Sequence, residues 1–216
     1  SVDPSERLRF IQIQAGGVRG LYDIAKYHME TFRQILQSVS SDDERLQLLQ
    51  TKDSFGCTVL HEAAVFSDTE TVQGILESVS EEMRYILLRT VDIYEWTPIH
   101  IACMHGDSEE LEMMMRLITV EMKYKLLQLP GGYGDTPLQM SAWLDHTQCI
   151  RVIADSVSSQ QLIHLLRITD DKRKTPLQEA AEHNHQAAVE LLQDYQTKAL
   201  IDVALQQTEP SGGYII

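Results

Sequence analysis

The segment of this sequence that comes nearest to a metal site is Glu182-His183-Asn184-His185. Imidazole and carboxylate groups are zinc ligands, but protein zinc sites use wider ligand spacings, usually with cysteine or a further histidine close by. Here the two histidines are only two residues apart and no cysteine is near them in the sequence. The segment also falls where one helix should turn into the next. We therefore expect no metal site here.

A glycine-rich segment and three cysteines are the other candidates for chemistry. The segment Gly131-Gly132-Tyr133-Gly134 lacks the lysine and the helix start of a phosphate-binding loop, so a turn is expected. Cys57, Cys103 and Cys149 form no close pair, and their odd number argues against a disulfide framework. We interpret them as small buried residues of a chain in the reducing cytoplasm. Neither a catalytic residue nor a cofactor is expected.

Charge and hydropathy limit the classes of partner. The 216 residues carry a formal net charge of −14, which repels nucleic acid and anionic lipid. No stretch is long and apolar enough for membrane insertion, and the first residues lack the apolar core of a secretory signal. Protein surfaces that are apolar or basic remain the expected partners.

The elements that position these residues recur at a fixed interval. Four strings stand 39 residues apart, and Arg19 to Ala25 is a degenerate fifth copy. Each string opens with threonine, which can cap a helix, and three continue with proline, which suits the first helical position. The strings are Thr58-Val59-Leu60-His61, Thr97-Pro98-Ile99-His100, Thr136-Pro137-Leu138-Gln139 and Thr175-Pro176-Leu177-Gln178.

A second helix is predicted to follow each of these first helices. Small residues such as Ala63-Ala64 and Ala180-Ala181 would let it approach closely. Between the two helices stand Ser67, Gly106, Asp145 and Asn184, mostly residue types that tolerate a tight or left-handed turn. The pattern predicts an all-α fold of stacked helices.

The turn, the Thr-Pro-Leu-His string, the paired small residues and the second helix together resemble the ankyrin repeat. The family period is about 33 residues, so each copy here has an insertion, which we interpret as an added short helix. Ser80, Thr119 and Ser158 are its expected caps, and pairs such as Leu87-Leu88 its apolar face. The resemblance implies an ankyrin-type solenoid with short turns. A three-helix armadillo-type repeat has a closer period but does not explain the Thr-Pro-Leu signature.

The array is expected to span residues 1–205. It comprises a partial repeat at 1–18, five repeats starting near 19, 58, 97, 136 and 175, and a closing helix at 187–204. Residues 206–216 are expected to be a linker and tail. Ser1–Leu8 matches Ser38–Leu46 with one residue missing, which suggests a segment of a longer protein with further repeats upstream.

The resemblance implies structural roles for the histidines and a binding surface. His61 and His100 would hydrogen-bond neighbouring turns, and Gln139 can replace them because an amide also donates and accepts. Partner contacts would come from the turn tips and the ends of the first helices, on a concave face. The residues assigned to partner binding are Phe55, Phe66, Ile93, Tyr94, Trp96, Met104, His105, Tyr133, Trp143, Leu144, Lys172 and Lys174, and neighbouring positions include Asp135, Asp171, Glu182 and His183.

These residues would form an aromatic stripe with a mixed-charge end, suited to a protein or peptide with an apolar anchor and basic residues. The chain would then act as a scaffold or recognition module. Alternatively, the aromatic residues pack between adjacent repeats, or the segment regulates or targets a larger enzyme, ion channel or microbial effector. The tail Tyr214-Ile215-Ile216 could mediate self-association or bind a domain that captures chain ends, or it could be an unstructured end.

Overall fold

A computed structural model describes residues 16–39 and 41–208 of the chain. The described residues form fourteen α-helices and no strand. Most of the predicted partial repeat at 1–18 and the tail residues Tyr214, Ile215 and Ile216 lie outside the described residues. The helices are α1 Gly17–Tyr27, α2 Met29–Ser38, α3 Asp42–Leu49, α4 Val59–Val65, α5 Thr69–Glu77, α6 Glu81–Leu88, α7 Pro98–His105, α8 Ser108–Arg116, α9 Val120–Leu127, α10 Pro137–Trp143, α11 Thr147–Asp155, α12 Ser159–Leu165, α13 Pro176–Glu182 and α14 Gln186–Thr208.

The first helices of the five repeats, α1, α4, α7, α10 and α13, pack side by side in chain order. Their starts follow from the Thr-Pro strings. Thr97, Thr136 and Thr175 are N-caps whose side chains accept a hydrogen bond from the backbone three residues on, and proline follows each. The residue at the third helical position closes a reciprocal capping box in each case. The all-α repeat fold is confirmed.

The predicted turn residues between first and second helices have left-handed backbone conformations. Ser67, Gly106, Asp145 and Asn184 all have positive φ, between 49° and 72°. The second helices α5, α8, α11 and α14 then pack against one another in sequence. Their inward side chains, such as Leu111, Ile150 and Leu192, are buried.

The inserted residues form the expected third helix, as α3, α6, α9 and α12. Ser80, Thr119 and Ser158 are its N-caps, each accepting a hydrogen bond from a backbone N–H of the first turn. Its paired leucines extend the core that the first two helices form. They are Leu48-Leu49, Leu87-Leu88, Leu126-Leu127 and Leu165-Leu166, and all are buried.

Two details differ from the sequence-based expectations. The closing helix α14 runs to Thr208, so residues 206–208 are helical rather than linker. Gln206 and Gln207 favour helix, and no glycine or proline occurs between Gln186 and Pro210. Cys57 is only half-buried because it lies in the turn before α4, whereas Cys103 and Cys149 are buried as expected.

Within the described part of the chain, no helix is both long and apolar enough to cross a membrane.

Candidate functional site

Side-chain hydrogen bonds fix the turns before α7, α10 and α13 to the repeat that precedes each of them. His61 Nε2 lies 3.1 Å from the Trp96 carbonyl oxygen, and His100 Nε2 lies 3.2 Å from that of Asp135. Gln139 Nε2 donates to the Lys174 carbonyl at 2.8 Å. On the other ring nitrogen, Nδ1 of His61 and His100 accepts from the threonine backbone N–H of the capping box.

Burial keeps both imidazoles neutral. It lowers the pKa of His61, and it lowers the pKa of His100 to about 4. A neutral imidazole with the proton on Nε2 suits both of its hydrogen bonds, because one nitrogen faces a donor and the other an acceptor. These histidines therefore orient turns, as the resemblance implied.

Equivalent residues at the tips of successive turns form an exposed row. Phe55, Tyr94 and Tyr133, each 39 residues after the last, are 58%, 54% and 71% exposed, and Lys172 continues the row. Backbone hydrogen bonds join the tips: the Phe55, Tyr94 and Tyr133 carbonyls accept from the next turn at 3.1, 2.9 and 3.2 Å. We call Phe55, Tyr94, Tyr133 and Lys172 the turn-tip row.

Tyr133 also borders a cleft between the fourth and fifth repeats. Its volume is about 460 Å³. The first helices α10 and α13 form its floor, and the turns before them form its rim. The lining residues are Tyr133, Asp135, Gln139, Met140, Trp143, Asp170, Asp171, Lys172, Glu179 and His183.

The aromatic wall of the cleft is held by hydrogen bonds. Trp143, 43% exposed, donates from Nε1 to His183 Nε2 at 3.1 Å. The His183 Nδ1–H in turn donates to the backbone oxygen of Glu179 at 3.0 Å. The neighbouring His185 uses Nδ1 on the Ala142 carbonyl at 3.3 Å. Both imidazoles of the segment 182–185 are thus engaged with the protein, and no group of three candidate metal ligands occurs among the described residues.

Carboxylates dominate the charge of the cleft. Desolvation raises the pKa of Asp135, and repulsion from Asp170, Glu179 and Asp171 raises it further. Lys174 Nζ lies 3.6 Å from Glu179 and is also in contact with Glu182. Lys172 is exposed at the rim.

Comparison with known families agrees with this architecture. A family model for ankyrin repeats in three copies matches residues 109–206, and another, for ankyrin repeats in many copies, matches residues 60–118. Together they span residues 60–206. The chain belongs to the ankyrin repeat family. Ankyrin repeats are generally protein–protein interaction modules, and the fold is a non-catalytic one. No curated protein matches the chain.

On this ankyrin array, the cleft and the turn-tip row bring together only part of the residues assigned to binding. Tyr133, Trp143 and Lys172 meet at the cleft.

Ile93 is exposed beside Tyr94 in the turn before α7, and His105 is exposed at the end of α7. Met104 and Leu144 are half-buried at the ends of α7 and α10, and Lys174 lies half-buried behind the rim.

Trp96 and Phe66 have packing contacts that the sequence did not reveal. Trp96 is half-buried, with its ring 5.5 Å from that of Tyr94 and its Nε1 buried without a hydrogen-bond partner among the described residues. A side chain at Gly131 would collide with the Trp96 ring, so Trp96 fills the space between turns. Phe66, far from the cleft, stacks on Tyr22 at 5.5 Å and lies under the Arg19 guanidinium.

Sequence reasoning missed four lining residues of the cleft: Gln139, Met140, Asp170 and Glu179. The repeat register contained a signal for two of them, since Met140 and Glu179 are 39 residues apart and must be neighbours on adjacent first helices. The register could not show that a cleft opens beside them.

Proposed function

We propose that this ankyrin array binds a protein or an extended peptide along the turn-tip row and into the cleft between the fourth and fifth repeats. Tyr94, Tyr133 and Trp143 supply the main apolar contacts. The observation that carries the proposal is the row of large side chains held outward at equivalent turn tips and ending at a cleft. Tyrosine and tryptophan are enriched in the residues that dominate interface energies, and contiguous exposed aromatic surface is unusual on a monomer.

Differences in exposure among the aromatic side chains support a binding role for some of them and a packing role for others. Tyr133 is 71% exposed and Trp143 is 43% exposed, and the Trp143 side chain donates one hydrogen bond, to His183. Trp96 is half-buried between turns. Loss of Trp96 should therefore affect stability, while loss of Tyr133 and Trp143 should affect binding.

The test begins with a displayed random peptide library selected on the immobilised chain. We expect the selected peptides to lose at least about 30-fold in affinity when Tyr133→Ala and Trp143→Ala are combined, because hot-spot truncations cost 2 kcal/mol or more. The melting temperature should change little. Isothermal titration calorimetry and thermal denaturation measure the two effects.

Val120→Ala with Leu200→Ala is the matched control, since both side chains are large, apolar and exposed but lie on α9 and α14 away from the row. Peptides that bind the Tyr133/Trp143 variant as tightly as the wild type would refute the proposal.

A further inference from the structure

The cleft between the fourth and fifth repeats combines aromatic side chains with several carboxylates, one of which has an oxygen without a hydrogen bond from the described part of the protein. Tyr133, Trp143 and Met140 supply its apolar lining. Asp135, Asp171 and Glu179 line the same space. Aromatic faces and carboxylates share one preference, since both attract cations.

Glu179 is the most constrained of these carboxylates. The residue is 5% exposed, yet its Oε1 has no hydrogen-bond partner among the described residues. The nearest cation, Lys174 Nζ, is 3.6 Å away and is shared with Glu182. His183 Nδ1 is 3.6 Å from Oε2 but gives its proton to the Glu179 backbone oxygen. A buried carboxylate oxygen without a hydrogen bond is costly, so a charged donor placed against this atom would relieve that cost.

The electrostatic environment also favours a positive ligand. Desolvation raises the pKa of Asp135, and repulsion from the carboxylates of Asp170, Glu179 and Asp171 raises it further. A cation in the cleft would relieve that repulsion. Among the described residues, no three candidate ligands are placed to hold a metal ion, which favours an organic cation.

We propose that the cleft binds the guanidinium group of an arginine side chain of the partner, stacked against Tyr133 or Trp143 and hydrogen-bonded to Glu179 and Asp135. Guanidinium is planar, weakly hydrated and able to donate in pairs to carboxylates while it stacks on aromatic rings. This inference rests on the proposed function, because the arginine would belong to the peptide that lies along the turn-tip row.

The direct test uses N-acetyl-arginine methylamide as the probe and its citrulline counterpart, a neutral side chain of nearly equal shape, as the matched control ligand. The chain has two tryptophans, so two indole N–H signals appear in the nitrogen-15 NMR spectrum of labelled protein. Trp143 lies in the cleft and Trp96 outside it. We expect the arginine compound to shift the Trp143 signal saturably with little effect on Trp96, and the citrulline compound to bind at least tenfold more weakly.

A pair of protein variants sharpens the assignment. Glu179→Gln keeps the shape of the side chain but removes its charge, and should weaken the arginine compound about tenfold. Glu62→Gln is the control, because Glu62 occupies the equivalent position in the second repeat and is already paired with Arg19 at 3.1 Å. The melting temperature of each variant shows whether it is folded. Equal binding of arginine and citrulline compounds, no shift of Trp143, or equally tight binding of the corresponding lysine compound would each overturn the proposal.

Failure of this inference is distinguishable from failure of the proposed function. Selected peptides that need Tyr133 and Trp143 but tolerate replacement of every arginine by citrulline would leave the function standing and remove the guanidinium site. Peptides indifferent to Tyr133 and Trp143 would remove the function, whatever the small arginine compound does.

Discussion

The third and fourth repeats have matching backbone contacts but different buried side chains. At one position His100 in the third repeat corresponds to Gln139 in the fourth, and both close a capping box. Both also reach the carbonyl of the next turn, at 3.2 and 2.8 Å. At another position Glu110 corresponds to Cys149. The fold therefore requires a hydrogen-bond donor at the first position and filled space at the second, and it requires neither an imidazole nor a carboxyl group there.

The third repeat therefore contains two buried groups that destabilise the fold when they become charged. Glu110 becomes charged as pH rises, and His100 becomes charged as pH falls. Glu110 is fully buried, and neither carboxylate oxygen has a hydrogen-bond partner among the described residues. Desolvation, with smaller contributions from Asp107 and Asp68, raises its pKa to about 8. Burial lowers the pKa of His100 to about 4. The fourth repeat has a neutral amide in place of His100 and a thiol in place of Glu110.

The largest expected effect comes from neutralising Glu110. The pKa of Glu110 is higher in the folded protein than in the unfolded chain, so protonation of this carboxyl group stabilises the fold. That stabilisation is complete below pH 4.5 and is lost as pH rises through 8. The difference between these two pKa values corresponds to about 5 kcal/mol of folding free energy. Replacing Glu110 with glutamine leaves a buried amide without a partner, which costs about 1–2 kcal/mol of that gain. Glu110→Gln should thus raise the free energy of unfolding by about 3 kcal/mol at pH 8. Urea denaturation across pH measures this.

At pH 5 the same variant should match the wild type within about 1 kcal/mol, because the carboxyl is then mostly protonated in the folded protein. Glu109→Gln, on the exposed side of α8, is the control and should alter stability little at either pH. A stability difference for Glu110→Gln that does not depend on pH would contradict the buried-carboxylate account.

The next effect concerns His100 and has the opposite sign. The pKa of His100 is lower in the folded protein than in the unfolded chain, so the neutral imidazole stabilises the fold. That stabilisation is complete above about pH 6.5 and is lost as pH falls through 4. His100→Gln copies the fourth repeat, so it should be close to neutral at pH 7.5 and more stable than the wild type by about 2 kcal/mol at pH 5. Urea denaturation at the two pH values tests this, and Gln139→His should introduce the reverse dependence. Identical pH profiles for His100→Gln and the wild type would show that His100 does not titrate with folding.

Most of the fold could be predicted because its signals are local and repeated. Thr97-Pro98 marks the start of α7 without any knowledge of its neighbours, and Ser67 and Asn184 lie at left-handed turns as expected. The residue type of Ser158 and the polar residues after it predict the cap that the structure has at the start of α12. A 39-residue recurrence tests each of these assignments several times within one chain.

The candidate site was less accessible because it depends on contacts between repeats. Tyr94 and Trp96 are both aromatic and belong to one turn, yet one is exposed and the other is half-buried against Gly131 of the next turn. Sequence alone assigns both to the same surface. Glu179 has an ordinary position on α13, and its importance appears only when Tyr133 and Trp143 of the previous repeat are placed beside it.

The smallest expected effect concerns the N-caps of the added third helix in the third and fourth repeats. It shows whether the two caps stabilise α9 and α12 to the same extent. Thr119 caps α9 through Met122 N–H alone, whereas Ser158 and Gln161 cap α12 reciprocally. Ser158→Ala and Thr119→Ala should each lower the free energy of unfolding by about 1 kcal/mol, since each removes one N-cap acceptor. Gln161→Ala should cost less, because the Ser158 N–H that it releases is exposed to water. The exposed neighbour Gln160→Ala is the control. If Ser158→Ala and Thr119→Ala both leave urea denaturation unchanged, the third helix is held by its buried leucines, such as Leu127 and Leu165, and the caps only mark where it begins.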